Sequence, residues 1–233
     1  MEHLITQGLV ELGLPSKKAP VLAKYGQLLL EKNKVMNLTA ITEPEQVARL
    51  HMLDCAALLR CADFADKSLI DVGTGAGFPG MVLKIMEPSL RLTLLDSLEK
   101  RLVWLAEVCD ALNLTGVEFV HARAEEKGLD PAFREQFDYA TARAVASMST
   151  LSEICLPFVK PGGQFLAMKS TESGDEVDQA ASAVAKLGGR LEKRYDYPIP
   201  GTDICHRVIP VSKISPTPDR YPRRWAKIQK NPL

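Results

Sequence analysis

The chain has 233 residues, which is long for one minimal domain of about 150 residues and short for two large ones. Hydrophobic residues make up 46% of it and charged residues 25%, a balance that excludes disordered and fibrous proteins and predicts a globular chain with a sizeable core. The formal net charge is zero, so a role in binding nucleic acid has to be argued from where the charges lie.

The cysteines and the N-terminal residues indicate the cellular compartment in which the protein is expected. The five cysteines are widely spaced and form no Cys-x-x-Cys pair, so the sequence indicates no metal site and no disulfide framework. The chain begins MEHLITQGLVELGL, with acids among its apolar residues, and it has no apolar run of about 18 residues. We therefore expect a cytoplasmic protein that has reduced thiols and no membrane partner.

The first part of the chain predicts helices. Apolar residues recur at spacings of three and four residues, as at Leu22, Tyr25 and Leu29, and the pattern continues to about Arg60. We assign residues 1–62 to an N-terminal helical extension.

Strands and helices alternate from residue 68 onward, where helical stretches separate short apolar runs suited to buried strands. The alternation indicates a mostly parallel sheet with helices on both faces, and we assign residues 63–218 to this core. The last two strand candidates have no helix between them and are expected to pair antiparallel. The predicted strands are 69–72, 92–95, 117–120, 137–141, 164–168, 190–195 and 205–211.

The strongest local motif is DVGTGAGFPG at residues 71–80, between the first strand and the following helix. Glycines at such a turn allow positive φ and let the backbone approach a ligand, which Gly73, Gly75 and Gly77 would do here. The spacing Gly75-x-Gly77-x-x-Gly80 also satisfies the dinucleotide pattern, so the motif by itself leaves both ligand classes open.

Side chains around the glycines favour a ligand without phosphates. Bulky Phe78 and rigid Pro79 occupy the turn where a dinucleotide would place its pyrophosphate. Asp71 would face the positively charged end of S-adenosylmethionine, a placement with no obvious use beside a pyrophosphate. Asp96, which ends the second strand, could accept the hydroxyls of a ribose or cap the next helix. Glu125, after the third strand, could contact an adenine.

Several motifs, taken in their order along the chain, resemble one protein family. They are NKVMNLTAIT with His51 and Asp54 downstream, DVGTGAGFPG, LLDSLEKR, ARAEE, TARA at residues 141–144, and the terminal YPRRWAKIQKNPL. Over nearly its whole length the chain resembles the ribosomal RNA small subunit methyltransferase G family (RsmG, also called glucose-inhibited division protein B). It departs from that family's pattern at Cys55, where Ser is more usual, and at Trp225-Ala226, which replaces a Pro-Gly-like turn.

The resemblance implies a class I S-adenosylmethionine-dependent methyltransferase with a Rossmann-like α/β core, a seven-stranded mostly parallel sheet and an N-terminal helical extension. The implied reaction transfers a methyl group to N7 of a guanine in the decoding-region loop of 16S rRNA, in the small ribosomal subunit, and leaves S-adenosylhomocysteine. We expect a monomer. The implied cofactor contacts are Gly73, Phe78, Ala124, Glu125 and Arg143, with Asp71 and Asp96 as further candidates.

The implied chemistry makes modest demands on side chains. Guanine N7 is an unprotonated nucleophile, so no general base is required and the enzyme mainly has to hold nitrogen, carbon and sulfur in line. Arg143, after the fourth strand, is the residue expected nearest the reacting atoms. Its expected role is positioning, by binding the cofactor carboxylate or the guanine O6.

The predicted RNA contacts are mostly basic residues, concentrated at the end of the chain. Residues 205–233 carry seven Lys or Arg against one acid, and we assign residues 219–233 to a basic tail. Tyr221 and Trp225 interleave with the charges there, which suits phosphates and unstacked bases. The RNA-contact candidates are Asn37, His51, Arg101, Arg123, Lys169, Arg223, Arg224 and Lys227. Asn37 has an alternative role in capping a turn, and His51 has one as a hydrogen-bonded structural residue.

Three alternatives stay open at this point. The chain could methylate another substrate, in which case the basic tail would be dispensable for turnover. It could be a nicotinamide-dependent oxidoreductase, because the glycine spacing fits that class as well. It could also be a noncatalytic RNA-binding protein that has kept the fold.

Overall fold

The computed structural model describes residues 1–143 and 146–233. Of the motifs quoted above, only TARA reaches outside these residues, because its last residue is Ala144. The N-terminal helices are α1 (Glu2–Glu11), α2 (Ala19–Met36), α3 (Pro44–Val47), a π-helical segment (Ala48–Leu53), α4 (Asp54–Ala56) and a 3₁₀ segment (Ala57–Arg60). The expectation of helices up to about Arg60 is therefore confirmed.

Strands and helices alternate through the rest of the chain. The strands are β1 (Ser68–Val72), β2 (Arg91–Asp96), β3 (Val117–His121), β4 (Phe137–Arg143), β5 (Val159–Ser170), β6 (Gly189–Leu191), β7 (Tyr195–Pro198) and β8 (Cys205–Lys213). The helices are α5 (Gly80–Met86), α6 (Glu99–Leu112), α7 (Ala124–Lys127), α8 (Met148–Cys155), α9 (Gly174–Gln179), α10 (Ala181–Lys186) and α11 (Trp225–Lys230).

One sheet with the order β3-β2-β1-β4-β5-β8-β6 organises the core, and β7 also pairs with β8. Neighbours among β1 to β5 run parallel, whereas β8 runs antiparallel to β5 and to both β6 and β7. The mostly parallel α/β sheet with antiparallel pairing at its end is thus confirmed. In parallel strands the carboxyl ends share one edge, and loops at that edge are where α/β proteins bind ligands.

Within the described residues the sheet has eight strands, so the expected number of seven is wrong. The predicted strand 190–195 is split into β6 and β7, which pair with successive parts of β8. Leu191 lies opposite Val211 and Tyr195 lies opposite Val208, so the edge strand contains one residue more than β8 between these two pairs. An extra residue of this kind forms a bulge that interrupts the ladder at a sheet edge.

Two hydrophobic clusters cover the two faces of the sheet. On one face, Leu22 and Leu53 of the N-terminal helices belong to the same buried cluster as Leu83 of α5 and Leu105 of α6. The other cluster contains residues of α8 and α10 and reaches Tyr221 near the chain end. The N-terminal helices thus pack directly on the core, and the division at residues 62 and 218 stays a prediction.

Within residues 1–143 and 146–233, no helix has the length and apolar character needed to cross a membrane.

Candidate active site

The first half of the glycine loop is open. Gly73 has φ of +70° and Gly75 has φ of +58°, both in the region that side chains avoid. A Cβ placed on Gly73 would meet no atom within 4 Å, so the backbone there borders free space. Asp96, at the end of β2, fixes the loop because its Oδ2 accepts the Gly75 N–H at 2.9 Å. Its Oδ1 accepts the N–H of Leu98, which is the N-cap residue of α6.

Asp71 holds the other side of the loop from inside the protein. Its Oδ2 accepts hydrogen bonds from Thr74 Oγ1 at 2.7 Å and from the Gly80 N–H at 3.0 Å. Its Oδ1 is buried and has no hydrogen-bond partner in the described part of the chain. Burial raises the pKa of this carboxyl to about 6, against the lowering effect of the two hydrogen bonds. A buried carboxylate oxygen without a donor is a place that a ligand could satisfy.

The second half of the loop is packed against the helices rather than open. A Cβ on Gly77 would lie 2.5 Å from Tyr25 Oη and 2.7 Å from Leu105 Cδ2, so glycine is needed there for packing. Phe78 is buried, and its ring stacks on the imidazole of His51 with centroids 4.5 Å apart.

These contacts bear on the dinucleotide alternative. A dinucleotide would place its pyrophosphate at the N-terminus of α5. Here the N–H of Gly80, the first residue of α5, already donates to Asp71, and Phe78 and Gly77 are covered by protein atoms. Protein groups therefore fill the position that a pyrophosphate would need.

A cavity of about 340 Å³, which we call the cofactor cavity, lies over the carboxyl ends of β1, β2 and β3. Two acids on its wall are paired with basic residues: Asp96 with Arg101 at 3.3 Å, and Glu125 with Arg123 at 2.7 Å. The ring of Trp225 closes it from the tail, with the Arg123 guanidinium 5.8 Å from the ring centroid. The remaining wall is formed by Val72, Gly73, Leu95, Ser97, Ala122, Ala124 and Ile154.

A second cavity of about 740 Å³, which we call the larger cavity, lies at the same edge of the sheet. Its wall takes Arg143 from the end of β4, Lys169 from the end of β5 and His206 from the start of β8. Because β8 is antiparallel to β5, its start meets the carboxyl end of β5, and His206 lies opposite Ser170. The wall is completed by Ile41, Leu50, His51, Asp54, Ala146, Ser147, Met168, Ser170, Glu176 and Ile204.

Comparison with known proteins now decides the family. The family model for rRNA small subunit methyltransferase G matches residues 18–195. The ribosomal RNA small subunit methyltransferase G of Alkaliphilus metalliredigens is 44% identical over 233 residues, covering 99% of this chain and 98% of the relative. The chain belongs to the rRNA small subunit methyltransferase G family. The resemblance expected from the sequence is thereby confirmed.

Solved structures agree on the fold of this methyltransferase G family member. A SAM-dependent O-methyltransferase from Thermotoga maritima covers 82% of this chain and 73% of its own, with 17% identity and a TM-score of 0.53. TYW2 of M. jannaschii, solved in complex with AdoMet, covers 69% of this chain and 75% of its own, with 13% identity and a TM-score of 0.54. The expected class I, Rossmann-like methyltransferase fold is confirmed.

The residue that the sequence placed nearest the chemistry, Arg143, reaches into the N-terminal helices of this methyltransferase. Its Nη1 donates to the carbonyl of Leu50 at 3.0 Å and lies 3.5 Å from Asp54 Oδ2. Its Nη2 donates to Nδ1 of His51 at 2.9 Å. Its guanidinium also lies over the ring of Phe78, 4.8 Å from the centroid. Arg143 therefore joins the glycine loop to the helical extension on the wall of the larger cavity.

The two histidines of this cluster have opposite electrostatic surroundings. Burial and the neighbouring Arg143 lower the pKa of His51 to about 3, so its ring is neutral at physiological pH. His206 Nδ1 donates to Asp54 Oδ1 at 2.8 Å, and this hydrogen bond raises the pKa of His206. Asp54 is buried and also accepts the hydroxyl of Tyr197 at 2.7 Å. The His51–Asp54 motif is thus the centre of a polar cluster beneath the larger cavity.

The residues predicted to contact RNA lie in different parts of this methyltransferase G family member. Arg101 and Arg123 lie on the cofactor cavity, and Lys169 lies on the larger cavity. Arg224 and Lys227 are exposed. His51 is buried and hydrogen-bonded to Thr39 and Arg143, and Asn37 is the C-cap of α2 in a left-handed conformation. RNA contacts by these two residues stay a prediction.

Arg223 has an internal partner. Its Nε and Nη2 donate to the two carboxylate oxygens of Glu153 at 2.7 Å and 2.6 Å, and its backbone N–H donates to the same side chain at 2.9 Å. Glu153 is fully buried, so this pair anchors the tail to α8. An RNA contact by Arg223 would compete with that anchor.

Several wall residues were not predicted at the positions where they lie, among them Trp225, Glu176 and His206. Trp225 was assigned to RNA, yet it lies on the cofactor cavity. Glu176 and His206, on the larger cavity, follow no quoted motif and were not singled out. No local motif marks either residue, since Glu176 lies on α9 and His206 near the start of β8. No group of three or more His, Cys, Asp or Glu side chains arranged to hold a metal occurs among the described residues.

Proposed function

We propose that this protein transfers a methyl group from S-adenosylmethionine to N7 of a guanine in the decoding-region loop of 16S rRNA. The observation that carries the proposal is a nucleoside-type cavity at the glycine loop of a methyltransferase G family member, beside a larger polar cavity at the same sheet edge. The proposal places the enzyme in the cytoplasm, with the small ribosomal subunit, and as a monomer.

The cofactor cavity fits S-adenosylmethionine by its chemistry. Asp96 and Glu125 would accept hydrogen bonds from ribose hydroxyls and from the adenine amine, and Trp225 offers a flat apolar wall. Gly73 leaves room for the ligand. Asp71 is not on the cavity wall, but its buried carboxyl lies directly before the glycine loop, where its charge would favour a positively charged group. When bound, the cofactor would supply an electrophilic methyl group on a sulfonium.

The residues near the larger cavity are suited to positioning rather than to proton transfer. His51 is neutral, its Nδ1 accepts from Arg143, and its Nε2 lies 2.9 Å from Thr39 Oγ1, so neither ring nitrogen is available as a base. Asp54 is occupied by Tyr197, His206 and Arg143. A lone-pair nucleophile such as guanine N7 needs no such base, because the enzyme gains rate by holding the reacting atoms in line.

The direct experiment supplies small ribosomal subunits from cells lacking the protein. Incubation with purified protein and methyl-labelled S-adenosylmethionine should give N7-methylguanosine at one position of 16S rRNA. Asp96→Ala should abolish the label because the loop and the ribose contact depend on that carboxylate. Labelled protein or small molecules with unlabelled rRNA would favour a methyltransferase for another substrate.

A thermal shift assay separates the remaining alternatives. A ligand that binds only the folded state raises the melting temperature, by more as its concentration exceeds its Kd, so S-adenosylhomocysteine should stabilise the protein and NADH should not. A protein stabilised by NADH alone would be an oxidoreductase. A protein that binds rRNA but transfers no label would be a noncatalytic binding protein.

A further inference from the structure

The larger cavity contains an acid at a place where the proposed function expects RNA. Glu176, on α9, lies on the cavity wall, and its side chain is 38% exposed. A carboxylate repels phosphates, so an acid on an RNA-binding wall has to face a part of the ligand that offers hydrogen-bond donors. The bases of an unstacked loop provide such donors on their Watson–Crick edges.

The hydrogen bonds of Glu176 leave one of its oxygens available. Oε1 accepts from Lys169 Nζ at 2.7 Å and also from the backbone N–H of Met148. Lys169 is held in turn by the carbonyl of Ala146 at 2.6 Å. Oε2 accepts no hydrogen bond from any residue in the ranges 1–143 and 146–233. The carboxylate is thus held in orientation through one oxygen, and the other, with two lone-pair sites, is free for a ligand.

The rest of the cavity suits a flat base. Apolar side chains flank the polar end, among them Leu50, Met168 and Ile204, and Ile204 is exposed at the rim. The volume of about 740 Å³ lies in the usual range of ligand sites, roughly 300–1,000 Å³. An enzyme that acts on a base in folded RNA has to take that base out of its stack into a pocket of this kind.

Guanine matches the single free carboxylate oxygen better than the other bases. Its Watson–Crick edge presents two adjacent donors, N1–H and the exocyclic amine, whereas adenine presents an acceptor at N1. N7 lies on a different edge of the purine, the Hoogsteen edge. A guanine held by N1–H and the exocyclic amine therefore leaves N7 unblocked by Glu176.

We infer that the larger cavity receives the target guanine and that Glu176 reads it by accepting hydrogen bonds from N1–H and the exocyclic amine. The inference rests on the proposed function and specifies its base selectivity. Lys169 acts here as a positioning residue, because it holds the carboxylate.

The test compares guanine with inosine, which keeps N1–H and N7 but lacks the exocyclic amine. Small subunits are reconstituted with 16S rRNA carrying guanosine or inosine at the methylated position, and kcat/KM is measured for the wild type and for Glu176→Gln. In the variant the amide oxygen takes the place of Oε1, since Lys169 and Met148 donate to it, and the amide NH₂ then faces the donors of guanine. The matched control is Asp175→Asn, an exposed acid that is adjacent in sequence but is not part of the cavity wall.

We expect wild type and Asp175→Asn to prefer guanine over inosine by roughly tenfold or more, since a site built for a donor rejects the analogue that lacks it. Glu176→Gln should lose roughly tenfold or more on guanine, keep its affinity for S-adenosylhomocysteine, and discriminate little between the two bases. Equal losses on both bases would overturn the inference, because Glu176 would then only hold Lys169. Wild-type protein that labels neither base would instead contradict the proposed function.

Discussion

The two cavities at the carboxyl edge of the sheet differ in how their walls are distributed along the chain. Most of the wall of the cofactor cavity comes from residues 72–125, which contain the carboxyl ends of β1, β2 and β3 in chain order. The larger cavity draws on residues near 41–54, on Arg143 and residues 146–147, and on residues near 168–176 and 204–206. The first is therefore built by local sequence, and the second by the sheet order and by the helices packed on it.

The tail is an exception to this local construction of the cofactor cavity, because Trp225 reaches the cavity wall from the far end of the chain. Removing everything after Asp219 would take away basic charge, but it would also remove Trp225 from the cavity wall and the buried Ile228 from the core. Single substitutions separate these contributions better than truncation does.

The largest effect on stability is expected from Arg223→Ala. The change leaves Glu153 buried without its cation, and breaking a buried pair in this way costs about 3–5 kcal/mol. The adjacent, exposed Arg224→Ala is the control and should stay within about 0.5 kcal/mol in chemical denaturation. Arg224→Ala should instead weaken RNA binding and reduce its salt dependence. An Arg223→Ala protein that is as stable as the wild type but no longer binds RNA would show that Arg223 contacts RNA and does not anchor the tail.

A glycine pair tests whether the open half of the loop faces the cofactor. Gly73 and Gly162 both have positive φ, and a Cβ on either would meet no protein atom within 4 Å. Alanine should cost each position roughly 1–2 kcal/mol of stability through backbone strain. Only Gly73→Ala should also weaken S-adenosylhomocysteine binding, by roughly tenfold or more, because only Gly73 borders the cofactor cavity. Titration calorimetry measures the affinity of both variants for S-adenosylhomocysteine. Equal affinities would mean that Gly73 does not border the bound cofactor.

Asp71→Asn tests the orphaned oxygen. Burial raises the pKa of Asp71 to about 6, so keeping it ionised at neutral pH works against folding. Removing that charge should leave the cofactor-free protein as stable as the wild type or more stable. If Asp71 faces the cationic end of the cofactor, affinity should fall by roughly tenfold, which is about 1.4 kcal/mol. Thermal melts with and without S-adenosylhomocysteine would reveal both effects, and a fall in the ligand-free melt would mean that Asp71 is needed for the loop alone.

The difference between locally built and topology-built sites explains how much of the structure could be predicted from the sequence. Strand positions, the sheet class and the residues at the first three strand ends follow from local patterns such as LLDS and ARAEE, and the predicted strands match β1 to β4 closely. The roles inside the glycine loop did not follow. Gly77 looked like a ligand-facing glycine, but its neighbours are Tyr25 and Leu105, which local spacing does not reveal.

Long-range partners account for the other differences. Glu176 and His206 become neighbours of Arg143 only once β5, β8 and β4 lie side by side, so no spacing in the chain points to them. The pairing of Arg223 with Glu153 spans 70 residues, and an arginine in a basic tail looks the same in sequence whether it is anchored or free. The extra residue that splits the edge strand into β6 and β7 likewise depends on its register against β8.

The smallest effect is expected at His206, and it tests the cluster beneath the larger cavity. The raised pKa of His206 means that its ion pair with Asp54 stabilises the fold fully below the ordinary pKa of about 6.5. That contribution is lost as the pH rises through the higher folded-state value. His206→Gln should therefore be less stable than the wild type at pH 6, by about 1 kcal/mol or less because the imidazole is partly exposed, and the difference should shrink by pH 8. The pKa of His51 is shifted in the opposite direction, downward. Because His51 is present in both the wild type and His206→Gln, its titration cancels from the difference in stability. In an Asp54→Asn background the difference should no longer shrink toward pH 8, since the remaining influences, burial and Arg143, both lower the pKa of His206 and reverse the sign of its contribution. A difference that grows toward pH 8 would mean that His206 is held neutral, and the cluster would then carry one less charge than its geometry indicates.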